Sequence, residues 1–161
     1  MLTQAELQSI LNYDPETGIF TRIKSRMSNK VNKVVGTLNK QNRVQISINA
    51  KIYKAHRLAW LYVYGEWPQI IDHINGNPAD NRICNLRECT TQQNNYNAKL
   101  SKRNTSGIKG VRFDKDRNKW EANLRINGKR TRIGRFNTLE DAKNAIENAR
   151  RIHHGNFANH G

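Results

Sequence analysis

A polar segment past the middle of the chain limits what the chain can fold into. Residues 99–107, KLSKRNTSG, are basic, small and polar, a composition typical of a linker. The chain has 161 residues, so neither side of this segment is long enough to bury a large core. We therefore expect two small domains, residues 1–98 and residues 108–161, joined by this linker.

The charge of the chain predicts a polyanionic partner. The formal net charge is +15 and the sequence pI is near 10.3, and such a charge repels itself unless a partner neutralises it. Binding to a membrane surface would need a basic amphipathic helix with a broad apolar face, but the Lys and Arg residues fall mainly in turns and strand-like segments. Nucleic acid is therefore the expected partner, and no membrane association is expected.

Two further absences narrow the class of protein. Cys84 and Cys89 are too far apart for a CxxC metal knuckle and too few for a disulfide framework, so we expect reduced thiols and no zinc. The first residues, MLTQAELQSILNYDPETG, lack the features of a signal peptide, and no apolar run is long enough to span a bilayer. An intracellular protein is expected.

The N-terminal part predicts short alternating elements. Thr3 is placed to cap a helix running through Leu11, and the strand-like IFTRI follows a Pro- and Gly-containing turn. A polar, basic loop is predicted at residues 25–33. The stretch RVQISINAKIYKAHR predicts a hairpin that turns around residues 49–51, and AHRLAWLYVYGEWP predicts a helix closed by Gly65.

The C-terminal part predicts three strands followed by a helix. The strands are GVRFD, KWEANLRI and KRTRIGRF, with Asn127-Gly128 as a type I′ turn between the last two. Thr138 and Asp141 predict a capping box at the start of the helix. The apolar stripe of that helix contains Leu139, Ala142, Ala145, Ile146, Ala149 and Ile152. These elements predict an α+β fold whose second domain is a small three-stranded antiparallel sheet packed on one helix.

The stretch IDHINGNPADNRICNLRECTTQQNNYN, residues 71–97, carries the residues best suited to chemistry. Phosphodiester hydrolysis needs a base to activate water and a cation to neutralise charge on the phosphate. His73 can serve as the base, and the Asp72 carboxylate with an Asn oxygen can hold Mg²⁺ or Mn²⁺. A solvated turn with a capping Asp is the alternative for the Asp-His pair alone.

This stretch resembles the HNH endonucleases with the ββα-metal fold, especially the homing type found in phages and introns. The resemblance runs through AHRLAWLYVYGEWP, DHINGN, DNRICNLRECT and NNYN, and the leader LNYDPETGIFTR is also similar. It implies an N-terminal ββα-metal nuclease module with His73 as general base and one metal ion held by Asp72 and Asn94. Asn85 would brace the loop that orients His73. Asn95 and Asn97 remain alternatives to Asn94, because the register within QNNYN is open.

The expected function is a metal-dependent DNA endonuclease that nicks or cuts duplex DNA. The resemblance implies products with 5′-phosphate and 3′-hydroxyl ends, and action in the host-cell cytoplasm if a phage encodes the protein. A monomer with one active site would most simply nick. The alternatives are a non-catalytic, sequence-specific DNA-binding regulator and, less favoured, an RNA-binding protein, because the chain lacks an evident aromatic platform for unpaired bases.

The C-terminal strands predict a basic, DNA-reading face. Alternation along KWEANLRI gives the strand two different sides. Trp120, Ala122, Leu124 and Ile126 lie on one side, and Glu121, Asn123 and Arg125 lie on the other. Arginine can read guanine and asparagine can read adenine in the major groove, while Lys109, Lys119 and Lys129 can bind phosphates.

This region resembles the Apetala-type domain of plant ethylene-response factors through GVRF, KWEANLRI, RTRIGRF and TLEDAKNAI. The family commonly has Glu at the position of Asn123 and Trp at that of Arg132, so its target sequence does not carry over. A solvated basic face is the alternative. The resemblance implies DNA contacts by Arg112, Asn123, Arg125, Arg130 and Arg132, with Lys109 beside them.

Overall fold

The computed structural model describes residues 1–23 and 31–161. Residues 25–30 of the predicted basic loop therefore lie outside the described residues. The chain forms two compact units, residues 1–89 and residues 90–161. Small antiparallel sheets and separate helices make up both units, so the predicted α+β class is confirmed.

The helices and strands are short. The helices are α1 (Gln4–Ile10), α2 (Ala55–Tyr64), α3 (Thr91–Tyr96) and α4 (Leu139–His154). The strands are β1 (Leu11–Asp14), β2 (Ile19–Arg22), β3 (Val34–Val35), β4 (Thr37–Leu38), β5 (Val44–Ile48), β6 (Lys51–Lys54), β7 (Ile71–His73), β8 (Leu86–Glu88), β9 (Val111–Asp114), β10 (Lys119–Ile126) and β11 (Lys129–Phe136). Within the described ranges, no helix is both long and apolar enough to cross a membrane.

The first unit begins with the predicted helix, which ends earlier than expected. Thr3 caps α1 in a capping box with Glu6, as its position predicts. Leu11 already belongs to β1, where the sequence predicted the last residue of the helix and then a turn. Leu11 and Tyr13 are both buried, and β1 pairs with β2. Alternate burial against a partner strand thus overrides the helical spacing of the apolar residues.

The core of the first unit lies between these short sheets and α2. Sheets β1-β2-β3, β4-β5-β6 and β7-β8 are all antiparallel in the pairs that join them. The predicted hairpin is confirmed as β5-β6, and the predicted helix as α2, which ends at Gly65 with φ of 78°. The largest fully buried apolar side chains of this unit include Leu7, Leu11, Phe20, Ile46, Leu58 and Leu61.

The second unit contains a sheet in the order β11-β10-β9. Asn127 and Gly128 have φ of 50° and 78°, which fits the type I′ turn predicted between β10 and β11. Ala122 and Leu124 of β10 share a hydrophobic cluster with Ala142 and Ile146 of α4. The opposite side of the sheet carries polar and charged side chains, and this side forms the second candidate site.

Helix α4 differs from its predicted pattern in two ways. Thr138 Oγ1 accepts from Asp141 N, as predicted, but the Asp141 carboxylate bonds to the Thr138 hydroxyl rather than to its backbone N–H. Asp is one methylene shorter than the Glu of a full capping box, and its carboxylate stays with the hydroxyl. Ile152, predicted in the apolar stripe, is 68% exposed, whereas Arg150 is 1% exposed and donates to the backbone oxygen of Lys109.

Candidate functional site

The hairpin β7-β8 places an acid and a histidine side by side in a buried position. Asp72 is 5% exposed and His73 is 6% exposed. Asp72 lies opposite Arg87 in the hairpin register, and Arg87 Nε and Nη2 donate to Asp72 Oδ2 at 2.9 and 2.7 Å. Spacing alone did not predict this ion pair, because it depends on the register between the two strands.

His73 lies against a second buried histidine. The ring of His56, on α2, meets the ring of His73 edge to face, with 5.1 Å between centroids. Burial lowers the pKa of His73 below its ordinary value, with the neighbouring Asn81 side chain acting in the opposite direction. Burial, and next the charge His73 would carry, lowers the pKa of His56 to about 3. Both rings are therefore neutral at neutral pH, and a neutral imidazole can accept a proton.

Asn85 holds the loop that follows His73. Its Oδ1 accepts from Asn75 N at 3.0 Å, and its Nδ2 donates to the backbone oxygen of Asp80 at 2.8 Å. Ile74 N also donates to the backbone oxygen of Asn85, at 2.9 Å. A single buried amide thus joins both arms of the loop that follows His73.

The N-terminal leader supports the same loop, a role that sequence reasoning missed. Tyr13 Oη donates to the backbone oxygen of Asn81 at 2.7 Å, and Ile83 N donates to the oxygen of Pro15 at 3.2 Å. A Cβ on Gly18 would lie 2.5 Å from the backbone of Asn81 and Arg82, so only glycine fits there. In the sequence, this role was indicated only by the resemblance of LNYDPETGIFTR to the leader of the HNH endonucleases. Asn81, which is 3% exposed beside His73, carried no signal apart from its place in DNR.

The remaining predicted metal ligand lies on α3, in the second unit. Thr90 and Gln93 form a capping box at the start of this helix, and Asn94 and Asn95 are both exposed. Asn97 is 7% exposed, and its Oδ1 accepts from Asn159 Nδ2 at 3.1 Å. The three alternatives thus differ: Asn97 already has a buried partner, while Asn94 and Asn95 face outward.

The donor chemistry of the proposed metal ligands fits a hard divalent cation. A carboxylate and an amide oxygen suit Mg²⁺ or Mn²⁺, which commonly take water for other positions. In residues 1–23 and 31–161, no group of three or more His, Cys, Asp or Glu side chains could hold a metal ion. Asp72 would share its carboxylate between such a cation and Arg87.

The second candidate site is the open side of the sheet β9-β10-β11, which we call the arginine face. A pocket of about 350 Å³ is lined in part by Arg112, Asn123, Arg125 and Arg130. Four of the predicted DNA-contacting side chains thus converge on one cavity. The arginine face consists of Arg112, Glu121, Asn123, Arg125, Arg130 and Arg132.

An acid lies among these basic residues. Glu121 is 4% exposed and accepts bonds from Arg112 and Arg132. The Arg112 guanidinium, followed by Arg132, holds the pKa of Glu121 below its usual range. Sequence alternation placed Glu121 on this side, but only the pairing of the three strands shows which arginines it binds.

Lys109 lies apart from this pattern. Its half-buried ammonium donates to the backbone oxygens of Tyr96, Ala98 and Asn159, and burial lowers its pKa to about 8. The predicted phosphate contact of Lys109 has to compete with these bonds. Lys119 and Lys129, by contrast, are exposed at the two ends of the strands.

Comparisons with known proteins match both regions. Residues 53–96 match the HNH endonuclease family, and residues 106–153 match the AP2 domain family. The chain is 36% identical over 113 residues to "Protein 3.8" of Escherichia phage T7, an alignment that covers 67% of this chain and 93% of that relative. No solved structure gives a significant match.

Proposed function

Because the chain belongs to the family of phage T7 "Protein 3.8" and carries an HNH endonuclease domain followed by an AP2 domain, we propose that it is a metal-dependent DNA endonuclease. The observation that carries the proposal is the hairpin β7-β8, which presents a neutral, buried His73 directly after the Asp72 carboxylate. This hairpin falls inside the region that matches the HNH endonuclease family. The phage relative fits action inside a host cell.

In the proposed reaction, His73 takes a proton from the water that attacks the scissile phosphate. Its lowered pKa keeps the ring unprotonated at neutral pH, which is the form a general base needs. His56 packs on the ring without competing for the proton, because its own pKa is about 3. Asn85 fixes the loop after His73 and so restricts where the ring can point.

The Asp72 carboxylate would bind the cation, and Asn94 stays the predicted amide ligand, with Asn95 and Asn97 as its alternatives. A Mg²⁺ or Mn²⁺ ion bound there would supply positive charge beside the scissile phosphate and the leaving 3′ oxygen. Arg87 forms an ion pair with the Asp72 carboxylate and orients it on the hairpin. The ββα-metal arrangement and the homing-type role are parts of this proposal.

The second unit would hold the duplex. Arg112, Arg125, Arg130, Arg132 and Arg135 outnumber Glu121 and Asp114 on this side of the sheet, and phosphates attract such a surface. One active site per chain would cut one strand at a time, so a monomer is expected to nick.

A supercoiled-plasmid assay tests the proposal. Wild-type protein is incubated with plasmid in Mg²⁺, Mn²⁺ or EDTA beside His73→Ala and the control His153→Ala, since His153 is exposed at the end of α4. We expect open-circle product with either metal and none with EDTA. His73→Ala should lose cleavage by about 10²–10⁴-fold, whereas His153→Ala should cut like wild type.

The outcomes separate cleavage from binding. Cleavage retained by His73→Ala would remove His73 from the reaction, and cleavage in EDTA would remove the metal. Binding to the same plasmid, measured in EDTA by gel shift, should be equal for all three proteins and should weaken steeply with salt.

One observation favours a second candidate, a non-catalytic DNA-binding regulator. Arg87 already neutralises Asp72 within the fold, so the carboxylate has a structural partner without a metal ion. Salt-sensitive duplex binding that needs no divalent cation, with no cleavage of phage or host DNA in Mg²⁺ or Mn²⁺, would favour this candidate over the nuclease.

A further inference from the structure

Glu121 is a buried acid in the middle of a basic surface. Its side chain is 5% exposed although it lies on the open side of the sheet. The next residue, Ala122, packs into the core on the other side. The chain has 28 Lys and Arg residues against 13 Asp and Glu residues, so a buried acid here reduces the charge that attracts DNA. A solvated basic face would not need such a residue.

Both oxygens of the Glu121 carboxylate accept hydrogen bonds from arginines, one on each of the two strands that flank β10. Arg112, opposite Glu121 on β9, donates from Nε and Nη2 to Oε2 at 2.9 and 2.6 Å. Arg132, on β11, donates from Nε to Oε1 at 3.1 Å. Charge-assisted bonds of this kind are short and directional, so each guanidinium is held in one orientation.

Both arginines remain open to solvent at the same time. The side chains of Arg112 and Arg132 are 61% and 55% exposed, while that of Glu121 is 5% exposed. A guanidinium has five N–H donors, and the bonds to Glu121 use two on Arg112 and one on Arg132. One edge of each guanidinium is thus bound to Glu121, and the remaining N–H groups can donate hydrogen bonds to a base.

Two other arginines on the same face provide an internal contrast. Arg125 and Arg130 lie opposite each other on β10 and β11 and are exposed. In the part of the chain that the structure describes, neither side chain forms an ion pair with a carboxylate. Their rotamers are free to follow a phosphate, and binding must order them at an entropic cost.

We propose that Glu121 is a positioning residue that fixes Arg112 and Arg132 for base recognition, whereas Arg125 and Arg130 supply sequence-independent attraction to phosphates. The inference rests on the proposed binding of duplex DNA by the second unit and adds which residues decide sequence preference. Preorganised donors discriminate between bases, because a wrong base leaves them without a partner. Mobile arginines adapt to any backbone and discriminate little.

Full-length protein in EDTA tests the inference without cleavage. A preferred duplex is first selected from a random duplex library with wild-type protein, and a scrambled duplex of the same composition serves as the reference. The dissociation constant for each duplex is then measured over a range of salt concentrations. The specificity ratio is the dissociation constant for the scrambled duplex divided by that for the preferred duplex.

Glu121→Gln should lower the specificity ratio by about tenfold or more, while binding the scrambled duplex as tightly as wild type or more tightly, since one negative charge is removed. Glu121→Asp keeps the charge but is too short to reach both arginines, so its ratio should also fall. The matched controls Arg125→Gln and Arg130→Gln should weaken binding to both duplexes by the same factor. Each should also reduce the salt slope by about one.

The results separate this inference from the proposed function. A wild-type specificity ratio retained by folded Glu121→Gln and Glu121→Asp would overturn the role of Glu121 and leave DNA binding intact. Loss of the folded sheet in both variants, seen in Trp120 fluorescence, would make Glu121 a folding residue and also overturn the role. Selection of no sequence by wild type overturns it too, whereas salt-independent or absent duplex binding contradicts the proposed DNA binding itself.

Discussion

Each unit of the protein contains a buried carboxylate that is paired with arginine, but the two units differ in how far the arginine side chains are exposed to solvent. In the first unit Asp72 and Arg87 are both withdrawn from solvent, with side chains 6% and 18% exposed. In the second unit Glu121 is equally buried, but Arg112 and Arg132 are more than half exposed. An acid–arginine pair therefore presents exposed arginines to a ligand in the second unit but not in the first.

The difference indicates which member of each pair carries function. Around Asp72 both members are largely buried within the hairpin, so exposure does not single out the arginine, and the proposed cation binding assigns the function to the carboxylate. Around Glu121 the acid can only support the arginines, because they alone reach solvent. Buried ion pairs contribute little net stability, and removing one partner is costly. Both pairs can thus be tested by removing one partner at a time.

Replacement of the two acids should give the largest difference between the units. Asp72→Asn should lower the plasmid cleavage rate by about 100-fold or more, because it removes the charged ligand proposed for the cation. Glu121→Gln should leave the cleavage rate at saturating protein within a few-fold. Rates are measured by quenched time courses in Mn²⁺. Equal losses in the two variants would end the proposed division of roles.

Removal of Arg87 should give the next largest effect, on stability. Arg87→Met leaves Asp72 buried without this partner and should lower the free energy of unfolding of the first unit by about 3 kcal/mol in EDTA. Mn²⁺ should restore part of this loss if it binds Asp72. Arg117→Met is the control in the second unit, followed by Trp120 with Trp60 and Trp67 replaced by Phe. The side chain of Arg117 is more than half exposed in its pair with Asp114, so this pair should contribute at most about 1 kcal/mol.

These measurements need a signal from one unit. The chain has three Trp residues, and with Trp120 replaced by Phe the remaining two, Trp60 and Trp67, both lie in the first unit. Urea titrations followed by their fluorescence then report that unit. No added stability with Mn²⁺ in Arg87→Met would argue against a cation at Asp72.

The loop brace should have a smaller effect. Asn85→Ala removes two hydrogen bonds and leaves Asn75 N and the Asp80 oxygen without these bonds, so we expect a loss of about 2 kcal/mol in the first unit. Asn123→Ala, on the arginine face, is the comparison, because the buried Nδ2 of Asn123 has no hydrogen bond. Its effect on the unfolding of the second unit, followed by Trp120 with Trp60 and Trp67 replaced by Phe, should be nearer zero. A larger loss for Asn123→Ala than for Asn85→Ala would contradict the expectation that the hydrogen bonds of Asn85 decide the difference.

Lowering the pH should have the smallest of these effects on the free energy of unfolding of the first unit. The pKa of His56 is about 3 in the folded unit and about 6.5 in an unfolded chain, so between these values the unfolded state binds more protons. The stabilisation is complete above about pH 6.5 and is lost as pH falls toward 3. Between pH 7 and 5.5 the first unit should lose about 1 kcal/mol from this group.

His56→Phe keeps a ring beside His73 and should reduce that acid sensitivity. His153→Phe, at an exposed position, should leave it unchanged. The free energy of unfolding is compared at pH 7 and pH 5.5 in the same Trp120→Phe background. An unchanged pH dependence in His56→Phe would show that other groups carry it.

Local patterns predicted much of the fold because the decisive interactions lie within a few residues of each other. Alternating apolar residues predicted the hairpin β5-β6, and Asn127-Gly128 predicted the turn between β10 and β11. The segment AHRLAWLYVYGEWP likewise predicted helix α2 and its end at Gly65. The prediction failed at Leu11 and Ile152, where long-range pairing and packing decide burial and helical spacing does not.

The candidate sites also contain residues that the sequence could predict and contacts that it could not. Asp72, His73 and Asn85 could be selected from residue type and spacing, and the arginines of the second unit from strand alternation. The sequence did not indicate that Arg87 binds Asp72, that Asn81 and the leader support the loop, or that Glu121 holds Arg112 and Arg132. Each of these contacts joins residues whose spacing carries no periodic signal.

The sequence by itself determined the charge, the α+β class, the order of the two domains and the residue types available for chemistry. The tertiary structure decided which charged groups are buried and which remain exposed. Charge and periodicity are local properties of the chain, but burial depends on strand register, and a shift of one residue moves every side chain to the other face. Register brought Arg87 to Asp72 and Arg112 to Glu121, and it thereby separated supporting groups from those that can meet a ligand.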